Sequence, residues 1–296
     1  MLYMARRIWI WICCMALVSC EKDITIKLDD TAETLVVDAS IENGRPPLVF
    51  LSRSLSFFSE INPEILAASF VRNAEVYLAD GVNRHRLRED SVENFPGSFI
   101  YYYTNDPSNP ATAITGRLEG SYTLDITTGG KSYTAKTTIP SITRRIDSLW
   151  WEKVDKADDT NQVKLIVRAT DKPGFGNYIR YFTKTNRERF LPGFNSVFDD
   201  QVIDGTTYTF PVDRGFDKNQ VVEDYEPFFY RGDTVTVKLC EIDKVTYDFW
   251  RTFEFSYQSV GNPFSTPVKV LSNISNGALG YFGGYAAQYR TLVIPK

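Results

Sequence analysis

Along most of the chain, apolar and polar residues alternate with period two rather than with the 3.6-residue period of a helix. Ile24, Ile26 and Leu28 alternate with Thr25 and Lys27. Leu35 to Ile41 reads as a strand ending at Asn43-Gly44, a pair that favours a tight hairpin turn. Pro46-Pro47 forces an extended start on Leu48 to Leu51. Residues 65 to 70 fit either one or two helical turns or a loop. Ala74 to Leu78 alternates and stops at Asp80-Gly81, a second hairpin signal. Phe99 to Tyr103 is strand-like, and Asn105 to Pro110 is a turn-rich loop. Ser121 to Ile126 turns at Gly129-Gly130 and returns as Tyr133 to Ile139, closed by Pro140.

Past residue 140 the alternation restarts at Ile146 to Trp151, then Val163 to Thr170, Tyr178 to Thr183 and Asp233 to Leu239. Residues 184 to 206 read as irregular, and Asp213 to Pro227 as an acid-rich solvated loop. One helix stands out near 242–258. Ile242, Val245, Phe249, Phe253 and Ser256 recur at helical spacing, Asp243 is placed to cap the first turn, and Trp250 and Tyr257 widen the apolar face. It ends before Gly261-Asn262-Pro263. The glycines between Gly277 and Gly284 imply close backbone approach ahead of a last strand, Gln288 to Ile294.

These elements predict an all-β fold. About seven short strands before residue 140 carry the spacing of an immunoglobulin-like β-sandwich in the broad sense. The Cys-Trp-Cys core of true immunoglobulin domains is missing. Tyr122 is a candidate for the tyrosine-bearing strand of such modules. The expected organisation is a sandwich at 20–140, followed by a second β-rich domain at 141–296 that carries the helix near 242–258.

Composition sharpens this reading. Aromatics reach 14% of the 296 residues, which favours sheet. The net charge of -4 lacks the basic excess of a nucleic-acid binder. A single histidine, His85, excludes a His-rich metal site, and 4 cysteines exclude a disulfide scaffold.

The first residues read as an address. Arg6 and Arg7 precede an uncharged apolar run, Ile8 to Val18, far short of the roughly 20 residues that span a bilayer. Its length suits a signal peptide, assigned to residues 1–19. Leu17-Val18-Ser19-Cys20 resembles the lipobox of bacterial lipoproteins. The resemblance implies a lipid on the Cys20 sulfur and an acylated new amino terminus. Glu21-Lys22-Asp23 resembles the surface-export signal of Bacteroidota lipoproteins. Cys13 and Cys14 leave with the peptide. Cys240 then has no partner and is expected to be a buried free thiol on a strand.

A wider resemblance covers nearly the whole mature chain. Asn262-Pro263-Phe264, Pro267-Val268, Ser272-Asn273-Ile274 and Gly277 to Tyr285 resemble the closing signature of a Bacteroidota outer-membrane lipoprotein family. Cys20 to Asp23, Leu35 to Ala39, Ile41 to Gly44 and Pro46-Pro47 resemble its start. The family is known as domain of unknown function 4249 (DUF4249). The resemblance implies a lipid-anchored outer-membrane protein, commonly encoded beside a TonB-dependent transporter. It implies no catalytic residues.

The residues themselves point away from catalysis. There is no Cys-x-x-Cys, no His-Glu-x-x-His and no Gly-x-Ser-x-Gly. Asp199-Asp200 with Asp204-Gly205, and Asp213 with Asp217 to Asn219, only faintly resemble calcium loops. No cofactor, metal or nucleic-acid partner is expected. Tyr101-Tyr102-Tyr103, Trp150-Trp151 and Phe228-Phe229-Tyr230 are consecutive aromatics, so at least one ring of each set must leave its own sheet's core. Candidate ligand or partner contacts are therefore Tyr101, Tyr103, Trp150 and Phe229. Arg84 and Arg86 join them because Arg84, Arg86 and Arg88 alternate around His85, on either an anion-binding groove or a solvent-facing edge strand. The expected function is a non-enzymatic accessory or binding subunit of a TonB-dependent system, held by its lipid and exposed on the cell surface. The alternatives are a stand-alone glycan- or peptide-binding lipoprotein and a structural or adhesion module.

Overall fold

The computed structural model describes residues 33–55, 62–154, 161–218, 226–260, 265–266 and 268–296. The signal peptide, Cys20 and the acidic tether lie outside the described residues. β1 (Leu35–Glu42) and β2 (Leu48–Arg53) pair as the first hairpin. α1 (Pro63–Ser69) starts at Asn62, whose side chain accepts from the Ile65 amide at 2.8 Å, with Pro63 opening the first turn. This resolves the ambiguous segment in favour of a helix. β3 (Glu75–Ala79), β4 (Arg84–Phe95), β5 (Ser98–Asn105), β6 (Ser121–Thr128) and β7 (Lys131–Thr138) follow. Then come β8 (Arg145–Lys153), β9 (Gln162–Thr170), β10 (Tyr178–Thr185), β11 (Leu191–Asp199), β12 (Thr207–Val212), β13 (Phe229–Tyr230), β14 (Thr234–Ile242), α2 (Lys244–Ser259) and β15 (Leu279–Val293). The described residues thus form a mostly β-strand fold with two α-helices and two sheets.

Eleven strands join in one sheet in the order β11-β10-β14-β15-β1-β2-β5-β4-β3-β6-β7. In the second sheet β8 pairs with one side of β9, while β12 and β13 pair with the other. Glu33–Lys296 gathers as one compact unit. The expected boundary at 140/141 falls between β7 and β8, and the large sheet takes strands from both sides of it. Its centre is the parallel pair of β1 and β15, in register from Val36 opposite Leu279 to Glu42 opposite Tyr285. Gly280 sits inside this pair at φ 95, with the Val37 backbone where a side chain would stand. The glycine-rich tail therefore belongs to the last strand rather than preceding it.

Three hydrophobic cores follow. β1, β2, β3, β6, β7 and β15 share the first, around Val37, Ile41, Leu78, Leu124 and Phe282. The second sheet packs Leu165, Val167 and Phe229 against Val235 and Val237 of β14. Beneath α2, Phe249 and Tyr247 pack on Tyr281, Tyr285 and Cys240.

The helix forms as expected and turns Phe249, Trp250 and Phe253 of the expected face inward, with two exceptions. Asp243 caps it, accepting from the Thr246 amide at 2.9 Å, and also accepts from Thr137 Oγ1 and the Thr138 amide on β7. Phe249 is buried, while Val245 is exposed and Glu254 is buried. The polar Glu254 turns inward because its carboxylate accepts from the Ser196 amide and hydroxyl on β11. That strand was expected to be irregular. Pro, Gly, Asn and Ser are weak strand formers, so pairing with β10, not local propensity, makes it extended.

Candidate functional site

Alternation on β1 sends Val37, Ala39 and Ile41 into the first core, so Asp38, Ser40 and Glu42 face the other side of the sheet. Strand register extends this face sideways. Asp38 lies opposite Tyr281 and Glu42 opposite Tyr285 on β15. On β14 Lys238 lies opposite Tyr289, and on β10 Phe182 lies opposite Lys238 and Arg180 opposite Cys240. Trp250 and Phe253 of α2 wall one side, and residues 189–192 and 216–218 wall another. They enclose an open cavity of about 470 Å³. The described part of the expected solvated loop, residues 213–218, thus contributes to the cavity.

Charge is distributed unevenly on this face. Lys238 pairs with Glu42, Arg189 with Asp217, and Lys218 with Glu254 at 2.7 Å. Arg180 is buried with no carboxylate partner among the described residues. Its guanidinium carbon lies 3.3 Å from the Trp250 ring centroid and 4.7 Å from that of Phe182. The two rings take the place of an anion beside the cation. Its Nε donates to Ser196 Oγ and its Nη1 to the Tyr285 hydroxyl, both at 3.2 Å. Tyr285 also accepts from Trp250 Nε1 at 3.1 Å and donates to the Tyr281 hydroxyl at 3.4 Å. Tyr281 in turn stands opposite Asp38 across the β1–β15 pair. Solvent reaches Asp38 through the cavity, while protein crowds it on the remaining sides. Burial pushes its carboxyl pKa up, against the Tyr281 hydroxyl and the charge of Arg180.

Of these cavity residues, the sequence points only to Asp217 and Lys218, as part of a faint calcium-loop resemblance. The signals were an acid inside the apolar strand at Asp38 and a cation between aromatics at Arg180. Cys20 lies outside the described residues, and the other expected contacts are placed elsewhere. Tyr101 is half-buried, under Arg72 at 3.9 Å. Tyr103 is buried, its one hydroxyl proton within reach of both Val71 O and Glu89 Oε2, and burial raises its pKa to about 12. Trp150 is half-buried, with Nε1 donating to Glu152 at 3.0 Å. Phe229 lies in the second core and Tyr122 in the first.

Arg84 and Arg86 are exposed and face Asp125 and Glu75 at 3.4 and 3.9 Å. They sit at the start of β4, which pairs there with β3 and meets β5 only from Leu87 onward, and both side chains face solvent. His85 points inward from the same strand. Its Nε2 accepts from the Asp106 amide at 2.9 Å and its Nδ1 meets Thr112 Oγ1 at 2.8 Å, while burial lowers its pKa.

Asp200 and Asp204 do meet a third carboxylate, Asp171, with oxygens within 4.8 Å of one another. Asp200 accepts from the Gly176 and Asn177 amides, and Asp204 from the Gly174 amide. Asp171 is ion-paired with buried Arg144 at 3.2 Å. Cys240 is buried and free on β14, and burial pushes its thiol up to about 12. Among the described residues no helix is long and apolar enough to cross a membrane.

A mostly β protein with an aromatic, charge-lined cavity beside its longest helix is the class that fold and site define. The chain belongs to the family described as Domain of unknown function (DUF4249), whose profile matches residues 21–291. No curated protein matches it.

Proposed function

We propose that this is a non-enzymatic, lipid-anchored binding protein of the outer membrane. It holds a small ligand in the cavity beside α2 and serves a TonB-dependent transporter at the cell surface. The open cavity of about 470 Å³ carries this reading: a concave site that combines aromatic walls with a few convergent polar groups is built for capture. The Leu17 to Cys20 lipobox supports the anchor, and the family match beginning at residue 21 supports a mature chain that starts beside it. Among the described residues, the cavity lining contains no cysteine and no histidine. Cys240, in the neighbouring core, is held as a neutral thiol. Capture without turnover suits this chemistry.

A pull-down in mild detergent from native outer membranes, through a C-terminal tag, tests the partnership. Stoichiometric recovery of a large TonB-dependent barrel is expected. Recovery of the protein alone, with ligand in its cavity, replaces the reading by a stand-alone binding lipoprotein.

A further inference from the structure

We propose that the cavity takes a small zwitterion, an amino acid or short peptide, with its carboxylate on Arg180 and its ammonium on Asp38. The proposal rests on the reading of the cavity as a ligand site and names the class of ligand.

The charges left over after pairing carry it. Lys238, Arg189 and Lys218 are each satisfied by a carboxylate, Glu42, Asp217 and Glu254 respectively. One anion and one cation on the cavity wall remain. Asp38 and Arg180 form no ion pair within 4.0 Å, with each other or with any described residue. Two linked tyrosine hydroxyls lead from one toward the other: Tyr285 accepts from Arg180 and donates to Tyr281, which stands opposite Asp38. With no ion pair between them, the two charges stand at separate stations. Arg180 spends Nε and Nη1 on Ser196 and Tyr285, while Nη2 donates to no described residue.

A guanidinium nitrogen without an acceptor on a cavity wall suits a carboxylate oxygen, and an exposed carboxylate suits an ammonium. The two stations together ask for one ligand with both groups. A phosphate or other dianion would find one spare cation and would face Asp38. A neutral sugar would leave both charges without counter-charges in a partly desolvated site, which is costly. The rings of Phe182 and Phe253 supply apolar wall for a hydrophobic side chain. The volume lies within the roughly 300–1,000 Å³ of small-molecule pockets.

Calorimetry and thermal shift on the detergent-solubilised, full-length lipoprotein test this directly. The probes are L-leucine, L-phenylalanine and the dipeptide Leu-Leu, which separate the free amino acid from the peptide. N-acetyl-L-leucine removes the ammonium, L-leucinamide removes the carboxylate, and maltotriose serves as the neutral saccharide. At least one zwitterion should bind, and the acetyl and amide forms of leucine should lose roughly tenfold or more relative to leucine. Asp38→Asn should erase the preference for leucine over its acetyl form, and Arg180→Gln the preference over its amide. If the buried Arg180 variant does not fold, the comparison of probes on the native protein decides alone. Equal binding of leucine and its blocked forms overturns the proposal. Binding of maltotriose alone, abolished by Ser40→Trp, overturns the ligand class and leaves the cavity reading standing. No response to any probe overturns the ligand class, while recovery of the barrel remains a separate result.

Discussion

Arg180 and Trp250 lie face to face, 3.3 Å from guanidinium carbon to ring centroid, and both donate to the single hydroxyl of Tyr285. The pair joins β10 to α2 through a residue of β15. Trp250→Ala removes both the ring under the cation and a donor, and should destabilise by about 3–5 kcal/mol. Trp250→Phe keeps a ring and should cost about 1–2 kcal/mol less than that. Chemical denaturation of both variants checks the order. Equal costs would mean that the ring contributes nothing to Arg180.

Asp243 does two jobs with one carboxylate, capping α2 and accepting from Thr137 and Thr138. Asp243→Ala should therefore cost more than an ordinary cap, about 2–3 kcal/mol. Asp243→Asn should retain the cap and lose part of the tie to β7. Phe249→Ala, which empties the buried face of the same helix, should cost about 3–5 kcal/mol. A cost for Asp243→Ala below that of a surface cap would show that the tie to β7 is energetically idle.

Glu241 is buried on β14, and burial pushes its pKa from 4.5 up to about 7, opposed by Arg144. The folded state therefore holds a proton that the unfolded state releases first. Its contribution to stability is full below about pH 4.5 and is lost as pH rises toward about 7. Glu241→Gln should flatten stability across this window, read as melting temperature against pH. An unchanged slope would place the titration elsewhere.

Cys240 should resist a thiol reagent in the folded protein, because its thiol is buried with a pKa pushed up to about 12. Labelling should appear only on unfolding, with the same midpoint as the loss of near-ultraviolet circular dichroism. Rapid labelling of native protein would contradict this burial.

The lipid on Cys20 is read by mass spectrometry of the amino-terminal peptide, where a diacylglycerol thioether and an acylated amine are expected. Cys20→Ala should leave the fold intact and release or misroute the protein. Surface exposure predicts that protease on whole cells reaches the chain. Full protection would place it on the inner leaflet.

Much of this protein is determined by local chemistry and is legible in the chain. Alternation at Leu35 to Ile41 and at Ser121 to Ile126 dictates strands, because side chains on a pleated backbone must part to two faces. Asp243 dictates where α2 begins, since a helix start leaves amides that need an acceptor. The lipobox and the family signature are likewise linear. The pairing of β1 with β15 is different: it joins positions some 240 residues apart, and neither strand's pattern names its partner. Only tertiary structure makes β11 a strand, because its residues gain extended pairing from β10 and lack the propensity for it. The cavity has the same origin. Asp38, Arg180, Trp250 and Tyr285 come from four elements, and each alone reads as an ordinary strand or helix residue. Their meeting is decided by sheet register and by the packing of α2, which together set which charges find a carboxylate or ammonium partner and which two line the cavity without one.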